Sequence, residues 1–207
     1  MHTLEQLRSG ALKGTTRLDL SENLTLFPPE ILDLADTLEI LNLTNNQLSS
    51  LPKEFGKLQK LKIIFCADNA FTTIPTVLAD CPKLSMIAFK SNAITKVPKE
   101  AFPLSTQWLI LTNNQITTLP QSMGNLHKLQ KLALAGNQLT SLPKSMKQCQ
   151  ALELIRLSAN QLTHFPSWLY TLPNLAYLAY SGNPFCQTKD VHHTLPQIGF
   201  NELYFET

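Results

Sequence analysis

The chain has 207 residues, of which 43% are hydrophobic and 15% are charged, and its formal net charge is +2 at pH 7. These values fit one folded soluble domain that is large enough for a sizeable core. They exclude a membrane span, because no apolar stretch approaches roughly 18 residues, and the scattered lysines argue against a nucleic-acid surface.

The N-terminal segment, 1–14, predicts a helix that caps one end of the core. Thr3 and Gln6 have the spacing of a capping box, apolar residues follow at helical spacing, and Gly14 marks the end. Such a helix covers sheet edge and apolar side chains that otherwise face water.

An asparagine recurs eight times within residues 15–186, and each copy trails an apolar-x-apolar triplet. The spacing is the same between all neighbouring copies, except that Asn92 and Asn114 are one position closer together. A unit of this length cannot bury its hydrophobic edges alone, so the copies must stack into one continuous core. The recurring residues are Asn23, Asn46, Asn69, Asn92, Asn114, Asn137, Asn160 and Asn183.

Each triplet predicts a short strand, because its apolar residues alternate with polar or variable ones. Successive copies of one strand pair in parallel, and the two apolar residues of each copy point into the core. These inward pairs are Leu18/Leu20, Leu41/Leu43, Ile64/Cys66, Ile87/Phe89, Leu109/Leu111, Leu132/Leu134, Ile155/Leu157 and Leu178/Tyr180.

The crossovers run from a recurring proline to the next strand, as in residues 52–60, where Phe55 and Leu58 face inside. Strands lie about 4.8 Å apart, whereas a helix needs about 10 Å, so the stack must curve. We therefore predict an α/β solenoid of eight repeats, with a curved parallel β-sheet on the concave face and short helical or 3-10 crossovers on the convex face.

The eight asparagines are predicted to form a structural ladder. Each lies where the chain leaves a strand, and its amide can satisfy backbone groups that the bend removes from the sheet. Two repeats depart from the pattern. The first slips by one residue after Asn23, and the fourth is one residue short around Phe102, Pro103 and Leu104.

The frame L-x-x-L-x-L-x-x-N-x-L-x-x-L-P resembles the leucine-rich repeat family over roughly residues 15–186. The form NQLTSLP at residues 137–143, echoed by NQLSSLP and NQITTLP, is similar to the intracellular 23-residue class found in Scribble-like, Roco and plant Ras-group proteins. This resemblance implies protein binding and no reaction, because the frame uses its repeated positions for packing.

Cysteine usage and the N-terminal residues predict a cytoplasmic protein. Cys66 occupies a strand core position, and Cys81 and Cys149 occupy the slot that Leu58 fills in its repeat, so we expect buried hydrophobes. The stretch at Cys186 resembles the opening of the cysteine cap of secreted relatives, but no further cysteine follows it. The first residues also lack a signal-peptide pattern.

Outward positions on the concave sheet are unusually apolar for a surface exposed to water. Large apolar residues occupy these positions across repeats two to five and predict an exposed strip that contacts a partner, with Trp108 as its anchor. The alternative is that such residues favour strands and shield one another. The predicted partner-binding residues are Ile40, Asn42, Ile63, Phe65, Met86, Lys90, Trp108, Ile110, Lys131, Arg156 and Tyr177.

No catalytic motif is recognisable, and we expect neither a metal nor a cofactor. The five histidines are not spaced with a nucleophile or a carboxylate, and the pair His192 and His193 lacks further metal ligands. No phosphate-binding loop occurs.

The final segment, residues 187–207, carries no repeat and is predicted to be a C-terminal cap or a linker. Residues 198–207 read IGFNELYFET, which is similar to the lead-in to the first strand of a protein kinase. A C-terminal cap, in which Leu195, Ile198 and Phe200 fold over the last coil, explains the same residues. The two interpretations are compatible.

The sequence thus predicts a cytoplasmic recognition domain whose concave face binds a protein. Two possibilities remain open for the full-length protein that contains this domain. The domain is either the N-terminal regulatory part of a leucine-rich-repeat kinase or a stand-alone scaffold or effector. The partner and the oligomeric state do not follow from the sequence.

Overall fold

A computed structural model describes residues 1–187. The predicted C-terminal cap or kinase lead-in, together with His192 and His193, lies outside the described residues. One α-helix, α1, spans Leu4–Arg8. Eight strands follow: β1 Arg17–Asp19, β2 Ile40–Asn42, β3 Ile63–Phe65, β4 Met86–Ala88, β5 Trp108–Ile110, β6 Lys131–Ala133, β7 Leu154–Arg156 and β8 Tyr177–Ala179.

The eight strands form one open parallel sheet in sequence order. Equivalent residues of neighbouring repeats are in register, so that Leu41 pairs with Ile64 and Ile64 pairs with Ile87. Short 3-10 helices supply six of the seven crossovers: η1 Pro29–Leu34, η2 Lys53–Lys57, η3 Thr76–Asp80, η4 Gln121–Asn125, η5 Lys144–Gln148 and η6 Ser167–Thr171. A further 3-10 helix, η7 Pro184–Gln187, follows β8. The predicted solenoid of eight repeats is confirmed.

One hydrophobic core runs along the stack, between the sheet and the crossovers. The inward pairs from Leu18 to Leu157 are fully or almost fully buried, as are Phe55 and Leu58. Leu178 and Tyr180, in the last strand β8 and just after it, are half-buried. Within residues 1–187, no helix combines the length and apolar character that crossing a bilayer requires.

The N-terminal helix is shorter than the sequence predicts. The capping box between Thr3 and Gln6 is present, and Leu7 is buried in the core. The helix nevertheless ends at Arg8, and turns replace it up to Gly14. Gly10 has a left-handed backbone (φ +76°), which a right-handed helix cannot contain, and this explains the early end.

The recurring proline mostly precedes the crossover helix and does not occupy its first position. Pro52 is the N-cap of η2, and Pro120 is the N-cap of η4. In the first repeat, Pro28 is likewise the N-cap, and Pro29 is the first residue of the helix. A fixed φ and a missing N–H suit both positions, so the sequence signal predicted the location to within one residue.

Seven asparagines form the predicted ladder, each bridging its own repeat to the preceding one. Asn114 Nδ2 donates hydrogen bonds to the carbonyl oxygens of Phe89 (2.9 Å) and Leu111 (3.0 Å), and its Oδ1 accepts one from Ile94 N (3.0 Å). The same bridge between repeats recurs at Asn46, Asn69, Asn92, Asn137, Asn160 and Asn183.

Asn23 does not belong to this ladder, contrary to the sequence prediction. In the described part of the chain no strand precedes β1 in the sheet, so its amide has no earlier repeat to bridge. It is exposed and adopts a left-handed backbone (φ +54°), which asparagine tolerates better than most residues. The one-residue slip noted in the first repeat coincides with this turn.

A left-handed residue precedes each of the seven ladder asparagines, and this feature was not predicted. Most of these positions carry Asn, Asp or Gly, which tolerate the conformation. Ser91 (φ +54°) and Ala159 (φ +53°) adopt it without a favourable side chain. The left-handed turn therefore accompanies the ladder even at residues that do not prefer this conformation.

The fourth crossover differs from its neighbours because residues 89–107 contain no 3-10 helix. Between β4 and β5 the chain is held by Thr106 Oγ1, which donates to Pro103 O (2.7 Å), and by Ser105 Oγ, which donates to Leu84 O (2.7 Å). The missing turn opens a convex cleft of about 680 Å³ between η3 and η4, with Phe102 and the exposed Leu104 at its wall.

All four cysteines are free thiols, and Cys66, Cys81 and Cys149 are buried as predicted. Burial raises the pKa of Cys81 to about 12 and that of Cys149 to about 11, and it raises the pKa of Cys66 further. In the folded chain the pKa values of these thiols exceed the ordinary value of 9.0. The thiols therefore contribute to the stability of the folded state below pH 9.0, and this contribution is lost as the pH rises through the folded pKa.

We expect iodoacetamide at pH 8 to alkylate only Cys186 in the native chain, because the other three thiols are buried and protonated. Intact-mass spectrometry should show one added group without denaturant. The control is the same reaction in concentrated urea, which should add four groups. Rapid alkylation of Cys66 in the native chain would contradict the packing described here.

Candidate functional site

The concave surface consists of the two outward positions of each three-residue strand. The structure places ten of the eleven predicted partner-binding residues on these positions, and Lys90 lies exposed just beyond β4. Neighbouring strands are in register, so the first outward positions form one continuous row from Arg17 through Trp108 to Tyr177. The predicted residues are therefore contiguous in space.

The apolar strip, defined as Ile40, Ile63, Phe65, Met86, Trp108 and Ile110, lies at the middle of this face. Each of its side chains is half-buried, so the strip is less open to water than the sequence suggests. Parallel strands about 4.8 Å apart place equivalent side chains against each other, and each shields part of its neighbour. A continuous apolar band nevertheless remains partly accessible along four strands, β2 to β5.

Polar groups at the N-terminal end of the face are already paired within the chain. The Arg17 guanidinium donates two hydrogen bonds of 2.7 and 2.8 Å to Asp19, and these bonds hold the pKa of the Asp19 carboxyl below its ordinary value. Asn42 donates to Asp19 Oδ1 (3.1 Å) and accepts from Thr44 N (3.1 Å). Asn42 therefore has less capacity for a partner than the sequence predicts.

Two cations at the other end of the face lie over aromatic rings. Lys131 Nζ is 3.9 Å from the centroid of the Trp108 ring, and the guanidinium carbon of Arg156 is 5.6 Å from that of Tyr177. Such contacts are worth about 0.5–1 kcal/mol at exposed sites. They link four predicted residues into two pairs. The sequence alone does not reveal these pairs, because it does not show which side chains meet across strands.

Histidines and other metal-binding side chains are dispersed. His2 accepts a hydrogen bond from Asp19 N (3.2 Å), whereas His127 and His164 are exposed on separate crossovers. Within residues 1–187, no group of three or more His, Cys, Asp or Glu residues is placed to hold a metal ion. The candidate sites in the described part of the chain are therefore two surfaces, the concave face and the convex cleft.

In the sequence, the only feature that indicates the convex cleft is that the fourth repeat is one residue short. Its walls combine Phe102, Pro103 and Leu104 with the charged pair Lys99 and Glu100. A missing residue in a crossover is a weak signal on its own, because end and internal repeats often vary in length.

Comparison with known proteins agrees with the repeat architecture. The family model described as leucine rich repeat matches residues 36–93, 87–139 and 129–185. No curated protein sequence matches the chain. A leucine-rich repeat protein of Leptospira interrogans is similar in structure, with a TM-score of 0.66 and 30% identity over 84% of this chain and 50% of that chain.

Two further solved structures share the fold. The ectodomain of the plant membrane receptor kinase GASSHO1/SCHENGEN3 from Arabidopsis thaliana, in complex with CASPARIAN STRIP INTEGRITY FACTOR 2, has a TM-score of 0.68 and 34% identity over 76% of this chain and 20% of that chain. An internalin from Listeria monocytogenes has a TM-score of 0.70 at 20% identity, over 84% and 50% of the two chains. The chain thus spans half or less of the length of these structures.

The family model covers most of the chain, and its three matches coincide with the stacked coils, the parallel sheet and the asparagine ladder described above. The chain belongs to the leucine-rich repeat family.

Proposed function

We propose that the chain is a protein-recognition domain that binds its partner on the concave face. The observation that carries this proposal is the apolar strip, a row of large side chains in register on a sheet surface that no other described element covers. Protein surfaces facing only water rarely keep such a contiguous apolar band. The family's general use as an interaction module and the ligand-bound plant neighbour are consistent with it.

The strip offers a suitable anchor at Trp108. Its ring is half-buried and held in place by Lys131, so little conformational freedom is lost when a partner covers it. Aromatic side chains dominate binding hot spots, and truncation of one typically costs about 2 kcal/mol or more of affinity, which is roughly 30-fold in Kd.

The test is a quantitative pull-down from a lysate of the source cells with the wild-type chain and the double variant Trp108→Ala, Phe65→Ser. We expect the double variant to lose at least one partner that the wild type recovers, with binding weakened by roughly 30-fold or more. Thermal unfolding of both chains checks that the variant remains folded.

The matched control is the convex variant Leu104→Ser, which removes an exposed apolar side chain on the opposite face. It should recover every partner at the wild-type level. Equal recovery by the concave double variant, or selective loss with Leu104→Ser, contradicts the concave-face proposal and favours the convex cleft.

We further propose that the protein acts in the cytoplasm, in line with the intracellular repeat class that its NQLTSLP phrases resemble. The support is the set of four free thiols, three of them buried, since secreted domains of this family close their ends with cysteine clusters. We propose that this domain is attached to a protein kinase. The alternative is a stand-alone scaffold or effector. The reading frame after Thr207 distinguishes them, because a kinase requires a glycine-rich loop roughly ten residues further on.

A further inference from the structure

The charges on the concave sheet are distributed unevenly along the stack. The ten outward positions of β4 to β8 include two cations, Lys131 and Arg156, and no carboxylate. At the N-terminal end, in contrast, Arg17 is paired with Asp19, and Lys62 with Glu39 at 2.8 Å. The outward positions in the C-terminal half of the face therefore carry a positive charge. Within residues 1–187 neither cation forms an ion pair, and the carboxylate nearest to Arg156 in the sequence is the exposed Glu153, directly before β7.

Arg156 is the less satisfied of the two cations. Its Nε is buried, and it makes no hydrogen bond to any residue in the described range 1–187. Buried N–H donors are nearly always paired, and a guanidinium nitrogen without an acceptor costs free energy. The guanidinium lies over the Tyr177 ring, and this part of the chain provides no acceptor for its Nε.

The neighbours of Arg156 leave room for such an acceptor. Ala133 on β6 and Ala179 on β8 are its register partners, and both have the shortest side chain other than glycine. A carboxylate approaching from the concave side therefore meets no bulky residue at these two flanking positions. The planar guanidinium is suited to hold a carboxylate through two parallel hydrogen bonds.

We infer that the concave face selects an acidic peptide segment, in which an apolar residue covers Trp108 and Ile110 and a carboxylate meets Arg156 and Lys131. This inference rests on the proposed concave-face function and specifies the chemistry of the partner. The strands β5 and β7 are two spacings, about 9.6 Å, apart. An extended peptide advances about 3.3 Å per residue, so the apolar and acidic residues are about three positions apart.

A nucleic acid is a poorer occupant of this surface. Phosphate backbones need a stripe of cations along their length, whereas the outward positions of β4 to β8 hold only two cations, which alternate with alanine, leucine and aromatic side chains. The surface instead matches a peptide that alternates apolar and acidic side chains.

The experiment selects random 12-residue peptides displayed on phage against the full wild-type chain. A second selection uses the double variant Lys131→Gln, Arg156→Gln. A third uses Lys144→Gln, Lys147→Gln, which removes the same charge from exposed positions of the convex helix η5. The best wild-type peptide is then synthesised, and its Kd is measured for all three chains and for Trp108→Ala.

We expect wild-type peptides enriched in Asp or Glu about three residues from a large apolar residue. The concave double variant should lose the acidic enrichment and bind the synthetic peptide at least about tenfold more weakly, whereas the convex control stays within about twofold. Trp108→Ala should also weaken binding.

Different outcomes of this experiment contradict the acidic-segment inference and the concave-face function. Peptides that depend on Trp108 but show no acidic preference, or acidic peptides that bind the concave double variant equally well, contradict the acidic-segment inference and leave the concave-face function intact. Peptides insensitive to Trp108→Ala, or the selection of none, contradict both.

Discussion

Asn114→Asp is expected to destabilise the chain by about 3 kcal/mol or more, because it removes the donors of a buried ladder amide without changing its shape. Asn114 is almost fully buried, and its Nδ2 satisfies the carbonyl oxygens of Phe89 and Leu111. A carboxylate oxygen in place of Nδ2 turns two hydrogen bonds into two contacts between acceptors. It also places a charge in a site with little access to water.

The chain contains a matched control for this substitution. Asn23→Asp makes the same chemical change at the one recurring asparagine that is exposed and outside the ladder. It should alter stability by no more than about 0.5 kcal/mol. Urea unfolding followed by tryptophan fluorescence measures both variants, and similar unfolding midpoints for the two would refute the assignment of the ladder as a structural element.

Phe89→Ala is expected to destabilise the chain by about 3–5 kcal/mol, the usual range for removing a fully buried aromatic side chain. Phe89 is completely inaccessible, and its ring packs edge-to-face on that of Phe71 with centroids 5.0 Å apart. The cavity left behind adjoins β4, in the middle of the stack. Since each coil contacts only its neighbours, a defect there weakens the link between the two halves.

Two comparisons make this prediction specific. Leu26→Ala removes a side chain that is 79% exposed and should change the free energy of unfolding by no more than about 0.5 kcal/mol. In a double-mutant cycle, Phe71→Ala and Phe89→Ala should be coupled by about 0.5–1.5 kcal/mol, because the two rings contact each other. Additive effects, or a cost for Phe89→Ala close to that for Leu26→Ala, would contradict the packing.

Much of the candidate site was predictable, but its environment was not. The alternation around Leu109 and Leu111 predicted that Trp108 and Ile110 point outward, and they do. The degree of exposure depends on side chains one full repeat away in the sequence, because Met86 and Lys131 flank Trp108 in the sheet. A single-strand pattern contains no information on that shielding.

The same limit applies to the turns and to the convex face. Asn and Gly mark several left-handed positions, yet Ser91 and Ala159 adopt the same conformation at the equivalent position of their repeats. Similarly, the sequence shows that repeat four is a residue short, but only the stacked crossovers reveal that the missing turn opens a cleft.

The amino-acid sequence by itself determined the solenoid, its eight strands, the buried pairs and seven of the eight ladder positions. This was possible because each of these features depends on the spacing of residues inside one repeat, and that spacing is similar from repeat to repeat. Only the tertiary structure decided that Asn23 lies outside the ladder, that Lys131 covers Trp108, and that Arg156 has an unsatisfied donor among alanines. These features arise between coils, where residues distant in the sequence are brought within a few ångströms of each other.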